Sequence, residues 1–262
     1  MASATYSRYV AIGDSTTEGL DDPLPGGAYR GWADRLAERL AELEPAATYA
    51  NLAIRGRLAG QVRAEQLEAA LALEPDLASV VAGLNDALRP GFEVDTVASE
   101  IEAMQAALVR SGATVVTFTM ADPTPVIPIS RPLRPRLLAF NEALREIAAR
   151  SGAILIDFAR HPVASDPRLW SADRLHANSA GHARIAAAVI DALELPGSDS
   201  SWAEPLPPLP QRRPHEVLAA EIGWSGRHLV PWLLRRARGR SSGDGIEPKR
   251  PALEPVSAGP GD

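Results

Sequence analysis

The chain has 262 residues, 45% hydrophobic and 23% charged, with no cysteine. That length and composition suit one large globular domain plus an appendage, and exclude a disulfide framework, a zinc-thiolate site and a cysteine nucleophile. Net charge is −6 but uneven: residues 211–262 hold nine Arg/Lys against six Asp/Glu, so the body is acidic and a nucleic-acid partner is not expected.

The first eight residues lack the apolar run of a secretory signal, and no later stretch has the length and apolarity of a membrane span, so a cytoplasmic protein is expected. Residues 8–12 read as a buried strand that stops at Gly13-Asp14-Ser15 and delivers a serine to a surface. A loop with glycines and prolines covers 16–30. Gly31–Leu43 then places Trp32, Leu36, Leu40 and Leu43 on one helical face. A strand at 48–52, a helix near 60–72, a strand at 77–82 and a helix near 95–111 follow. Thr114–Thr119 is β-branched and reads as a strand. A proline-dense loop at 122–132 precedes a helix ending near Arg150, a strand at 153–157 and a helix from Ser179 to Leu193, capped by Asn178 or Ser179.

This alternation predicts an α/β fold: a five-stranded parallel sheet in the flavodoxin-like order 2-1-3-4-5, with helices on both faces. Residues 1–195 form that domain and 196–213 a proline-rich linker. Residues 214–262 hold a helix from about Pro214 to Arg238, interrupted at Gly223, Gly226 and Pro231, and then a disordered basic tail. Trp224, Leu229, Trp232 and Leu233 are expected to pack this extension against the body. Contact of its arginine-bearing end with an anionic membrane is the lesser alternative.

Ligands of parallel sheets bind beyond the carboxyl ends of the strands. Gly13-Asp14-Ser15, the loop through Gly56, and Gly83-Leu84-Asn85-Asp86 end three strands that are neighbours in the expected order. Serine needs a base to become a nucleophile, and His176 has Asp173 three residues before it, close enough for a carboxylate to hold the imidazole. The N–H groups of Ser15 and Gly56 and the Asn85 side-chain amide would supply donors for an oxyanion.

Taken in order, Gly13-Asp14-Ser15, Gly56, Gly83-x-Asn85-Asp86 and Asp173-x-x-His176 resemble the SGNH (GDSL) hydrolase family over roughly residues 8–195. A single block is cheap, but four in order at fitting strand ends are specific. The resemblance implies a three-layer α/β/α sandwich and hydrolysis of carboxylic esters or lipids without metal or cofactor. It makes Ser15, His176 and Asp173 the triad, and Ser15, Gly56 and Asn85 the oxyanion hole. Ala177 departs from the family, where proline is frequent after the histidine. The resemblance does not reach the linker or tail.

Other readings accompany this one. Ser15 alone would more often be a helix N-cap, and Asn85 and Gly56 ordinary loop residues. Asp14 and Asp86 are expected to bond loop amides, and His161 and His182 to be structural, while His215 and His228 have no carboxylate partner nearby in sequence. Gly239 to Gly243 matches a nucleophile-elbow pattern only by chance, since no strand precedes it. A metal-dependent phosphoesterase using Asp14, Asn85, Asp86, Asp173 and His176 is one alternative, and a non-catalytic small-molecule-binding protein the other. Loops 16–30, 84–92 and 122–132 should rim the site. Leu20, Tyr29, Leu84, Phe92, Val126 and Ile127 suit an acyl chain, and Asp21, Arg30 and Arg89 a sugar.

Overall fold

The computed structural model describes residues 5–209, 213–237 and 241–257. Parts of the expected linker and tail, including Arg238, Gly239 and Arg240, lie outside these, as does the Leu233 side chain. The sheet contains β1 (Arg8–Gly13), β2 (Thr48–Asn51), β3 (Leu77–Val81), β4 (Thr114–Phe118), β5 (Ile154–Ile156) and β6 (Arg250–Pro255). Its order is β5-β4-β3-β1-β2-β6. The first five strands are parallel, in the expected 2-1-3-4-5 arrangement.

Alternation along β1 divides the interior in two, because successive side chains leave opposite faces. Tyr9 and Ala11 join Trp32, Leu36 and Leu40 of α2 (Gly31–Leu43) and Ala186 and Val189 of α7 (Ser179–Ala192). Val10 and Ile12 join α3 (Ala59–Ala72), α5 (Val94–Arg110) and α6 (Arg134–Ser151) through Val62, Ile101, Met104, Phe140 and Leu144. The result is a three-layer α/β/α sandwich. Short helices α1 (Ser15–Glu18) and α4 (Leu84–Ala87) sit at the carboxyl ends of β1 and β3. Asn178 caps α7, accepting from Gly181 N–H.

The tail departs from expectation. Residues 250–255 are a sixth strand, antiparallel to β2, and the sheet is mixed rather than wholly parallel. Lys249 fixes its start: Nζ donates to the carbonyls of Tyr29 and Arg30 and to Asp34 Oδ2, 2.8 Å away. Leu253 packs against the second core and Arg250 lies over the Tyr49 ring, so tertiary contacts order a segment that local composition reads as disordered.

The linker is partly built in as well. A 3₁₀ turn at Ser200–Ala203 sets Trp202 edge-on to Phe158, and its indole donates to Asp191. The expected helix after it is one long rod: α8 (Pro214–Trp224), a π-helical turn (Ser225–Leu229) and α9 (Val230–Ala237). Pro231 lacks an N–H and its ring would clash with an α-helical carbonyl one turn back. The wider π turn just before it lets the rod continue.

Candidate active site

Ser15 is placed by what holds the end of β1. Both backbone groups of Gly13 bond to the Gln66 side-chain amide, at 2.8 and 2.9 Å. A Cβ at Gly13 would collide with the Val81 carbonyl, so only glycine allows this approach between strands. Asp14 caps α1, Oδ1 accepting from Thr16 N–H at 3.2 Å, and Ser15 is the first helical residue rather than the cap.

Ser15 Oγ lies 2.9 Å from His176 Nε2, and His176 Nδ1 lies 2.6 Å from Asp173 Oδ2. Asp173 Oδ1 accepts from the N–H groups of Leu175 and His176, which is what the three-residue spacing builds. Burial works against ionisation of Asp173, but bonds from His176, Ser171 and the backbone outweigh it and hold its pKa well below the usual carboxylate range. Burial also opposes the charged form of His176, yet Asp173, and behind it Asp21 and Asp14, raise its pKa above the ordinary value.

The remaining residues named from the sequence are tied to this group. Asn85 Nδ2 donates to Asp14 Oδ2 at 3.0 Å and to the Arg57 carbonyl at 3.1 Å. Both of its amide hydrogens are thus engaged, and donation to a ligand requires one of them to change partner. Burial pushes Asp14 up to about 6. Asp86 takes the Ala59 N–H at the start of α3, a structural use, as expected. Gly56 has a φ of +76°, and the space a Cβ would fill is taken by the Ser241 hydroxyl. The run read as a chance elbow motif therefore backs the Gly56 loop through Ser241.

Three positioning residues escape a motif reading. Besides Gln66, Asn51 donates to the Thr17 carbonyl at 2.8 Å, and Glu18 accepts from Arg55 N–H at 2.8 Å as well as from its guanidinium. Asp21, expected on the rim as a polar neighbour of a sugar, instead stands beside the histidine: its Oδ2 is 3.8 Å from His176 Nδ1, and Ser171 Oγ lies 2.6 Å from both Asp21 and Asp173. Its positive φ of 68° turns the chain toward the histidine. Among the described residues, the donor atoms close enough to share a metal belong to Asp21, Asp173 and His176. Asp14 and Asp86 of the phosphoesterase alternative are not in that set, being occupied at helix starts.

His182 is structural, as expected: it is buried, accepting from Trp32 N–H and donating to the Leu20 carbonyl, and burial lowers its pKa. His161 packs against Trp202 with the ring planes tilted by 59°. Of the expected rim residues, Leu84 and Ile127 line an apolar cavity beside the site. Tyr29 lies under the Arg55 guanidinium, Phe92 packs edge-on to Phe140, and Arg30 pairs with Glu38. The long C-terminal helix also reaches the site. Trp224 Nε1 donates to the Asp173 carbonyl at 3.2 Å, and Arg174 bonds Glu221 while covering the Trp224 ring.

No described helix is long and apolar enough to cross a membrane. No curated protein matches the chain. Among solved structures, TesA superposes with a TM-score of 0.59 at 25% identity, over 72% of this chain and 98% of its own. LAE5, an α/β hydrolase from the metagenome of Lake Arreo, Spain, gives 0.58 at 24%, over 73% and 97%. Axe2, an acetylxylan esterase from Geobacillus stearothermophilus, shares the fold with a TM-score of 0.61 at 18% identity, over 76% and 100%. The sequence profile of the GDSL-like lipase/acylhydrolase family matches residues 11–184, from inside β1 to inside α7. With that match over most of its length and the neighbouring hydrolase folds, the chain belongs to the GDSL-like lipase/acylhydrolase family and is a carboxylic ester hydrolase.

Proposed function

We propose that Ser15 is the nucleophile of a Ser-His-Asp ester hydrolase. The observation that carries this reading is the unbroken chain from Ser15 Oγ through His176 to Asp173, at 2.9 and 2.6 Å. Ser15 Oγ attacks the ester carbonyl as His176 Nε2 takes its proton. Asp173 holds Nδ1–H in place and stabilises the imidazolium. The tetrahedral oxyanion is met by the N–H groups of Ser15 and Gly56 and by Asn85, which gives up one of its two present acceptors. Collapse expels the alcohol, protonated by His176. Water, deprotonated by the same histidine, then attacks the acyl-enzyme, and the C–Oγ bond breaks to release the acid.

Labelling with a fluorophosphonate probe tests this: wild type should be modified at Ser15, and Ser15→Ala should neither label nor hydrolyse p-nitrophenyl esters. Hydrolysis undiminished in Ser15→Ala would refute it. The Asp21, Asp173 and His176 cluster supports a second, metal-dependent reading, in which a cation must displace the bond between Asp173 and Nδ1. Activity unchanged after exhaustive chelation excludes that reading.

A further inference from the structure

The helix from Pro214 to Ala237 lies beyond the segment matched by the family, yet it stands over the candidate site. Beneath it is a cavity of about 480 Å³, bounded by the rod through Trp224, Leu229 and Trp232, by Ile129 of the 122–132 loop, and by Asp173. That volume is within the ~300–1,000 Å³ range of small-molecule sites. A second, deeper cavity of about 150 Å³ runs beneath the ends of β3, β4 and β5, and its wall includes Thr16 and Leu84, next in sequence to Ser15 and Asn85. The two cavities abut, sharing the walls made by Leu88, Ile127, Ser130, Leu133 and Leu175.

The chemistry of these walls selects among esters. A sugar needs several side chains with free donors or acceptors directed at its hydroxyls. Here four of the polar wall residues are spent on the protein itself. Ser130 Oγ donates to the Ile127 carbonyl, Arg184 to the carbonyls of Trp202 and Glu204, and Arg174 to Glu221 and the Val126 carbonyl. Thr119 Oγ1 donates to Asp157 and accepts from Ala159 N–H. Arg227, whose Nε donates to the Gly223 carbonyl, and His228 also line the larger cavity, and most of the remaining lining of both is hydrocarbon and indole.

We infer that these abutting cavities bind a linear acyl chain of the ester, and that the C-terminal helix, through Leu229 and Trp232, roofs the chain and sets its length. The inference rests on the ester-hydrolase reading above and names the substrate class of that site. Each methylene that enters raises kcat/KM by about fourfold until the space is filled. Trp224 and the Arg174–Glu221 pair anchor the roof to the loop carrying Asp173, so the acyl site and the histidine's partner are built on one support.

The test is a series of p-nitrophenyl esters from acetate to dodecanoate, hydrolysed by the full chain, by Leu133→Trp and by Trp232→Ala. Fluorophosphonate labelling of each reports an intact nucleophile. Wild type should prefer octanoate or longer over acetate. Leu133→Trp fills the wall between the cavities and should lower the octanoate-to-acetate ratio by at least about tenfold, and Trp232→Ala, which opens the roof, should lower it too. A wild type that labels at Ser15 but prefers acetate overturns the acyl site and leaves the nucleophile standing. If no variant labels or hydrolyses, the nucleophile reading falls, and calorimetry decides the cavity. Decanoate should bind Ser15→Ala where butyrate does not, and equal or absent binding of both overturns the inference.

Discussion

Glu18 grips Arg55 twice, accepting from its backbone N–H at 2.8 Å and from its guanidinium, so the helix that begins with Ser15 is clamped to the residue before Gly56. The N–H groups of Ser15 and Gly56, proposed to meet in the tetrahedral intermediate, are thereby held in fixed relation by a contact between residues 37 apart in sequence.

Glu18→Gln should therefore lower kcat more than it raises KM, because the amide keeps the shape but loses the charge and part of the accepting capacity. Glu18→Ala should also cost about 1.5–3 kcal/mol of stability, the range for hydrogen bonds to charged groups. Steady-state kinetics with a urea midpoint separates positioning from unfolding: Glu18→Gln with a normal kcat would show the clamp to be structural only.

Asn85→Ala removes the proposed third oxyanion donor and leaves Asp14 and the Arg57 carbonyl without their shared partner. Expected is a fall in kcat of about 10²–10³. Fluorophosphonate labelling should slow in step, since the phosphonyl oxygen uses the same donors. A variant that loses ester turnover but labels at the wild-type rate would remove Asn85 from the hole.

The pH profile follows from His176. Its pKa is raised above the ordinary 6.5 by Asp173, Asp21 and Asp14 against the effect of burial, so the neutral base appears only as pH climbs past that value. The rising limb of kcat/KM should accordingly lie above 6.5. Asp173→Asn withdraws the largest raising influence, moving the limb to lower pH while depressing the plateau by about 10⁴. A limb that moves upward instead would contradict this assignment.

Asp14 predicts a stability effect of the opposite kind. A carboxyl whose folded pKa is raised from 3.8 to about 6 keeps its proton longer in the native state. Its contribution is complete below 3.8 and declines as pH rises to about 6, then stays level. Urea unfolding at pH 4 and pH 7 should show wild type losing about 2 kcal/mol more than Asp14→Asn between those values.

Lys249 is the half-buried anchor of β6, and Asp34 beside it is half-buried too. Lys249→Met removes the cation facing that carboxylate and should cost about 1.5–3 kcal/mol, the range for hydrogen bonds to charged groups. Adding Asp34→Asn should recover part of the loss. If the double variant is no more stable than the single one in chemical denaturation, the pair is not what fixes the strand.

The parallel core was legible because its signals are local. β-branched runs, the Trp32–Leu36–Leu40 stripe and the Asn178 cap each lie within a few residues of what they specify. The candidate site was legible because short spacings carry it: Asp173 and His176 share one turn, and Ser15 directly follows a strand. Residues that act across the fold were not. Gln66 looks like any exposed helix position until β1 lies against it, and Asp21 like one of two acidic loop residues. The 250–255 segment carries two prolines and alternating charge, and what pairs it is the edge of β2 and a lysine socket assembled from α2. Pro231 was expected to interrupt the helix, but a π turn just before it lets the rod continue through it.

That last strand has a consequence for how the molecule is made. Asn51 pairs with Arg250, a partner roughly 200 residues later in the chain, so this pairing is among the most non-local in the fold. During synthesis the outer border of β2 stays open, with unsatisfied amides and carbonyls, long after the other four parallel strands have emerged. The nascent protein must pass through a stage in which that border can recruit a neighbour's strand. Pro251 and Pro255 then make the closing strand itself a poor template, so the hazard ends once this strand has paired.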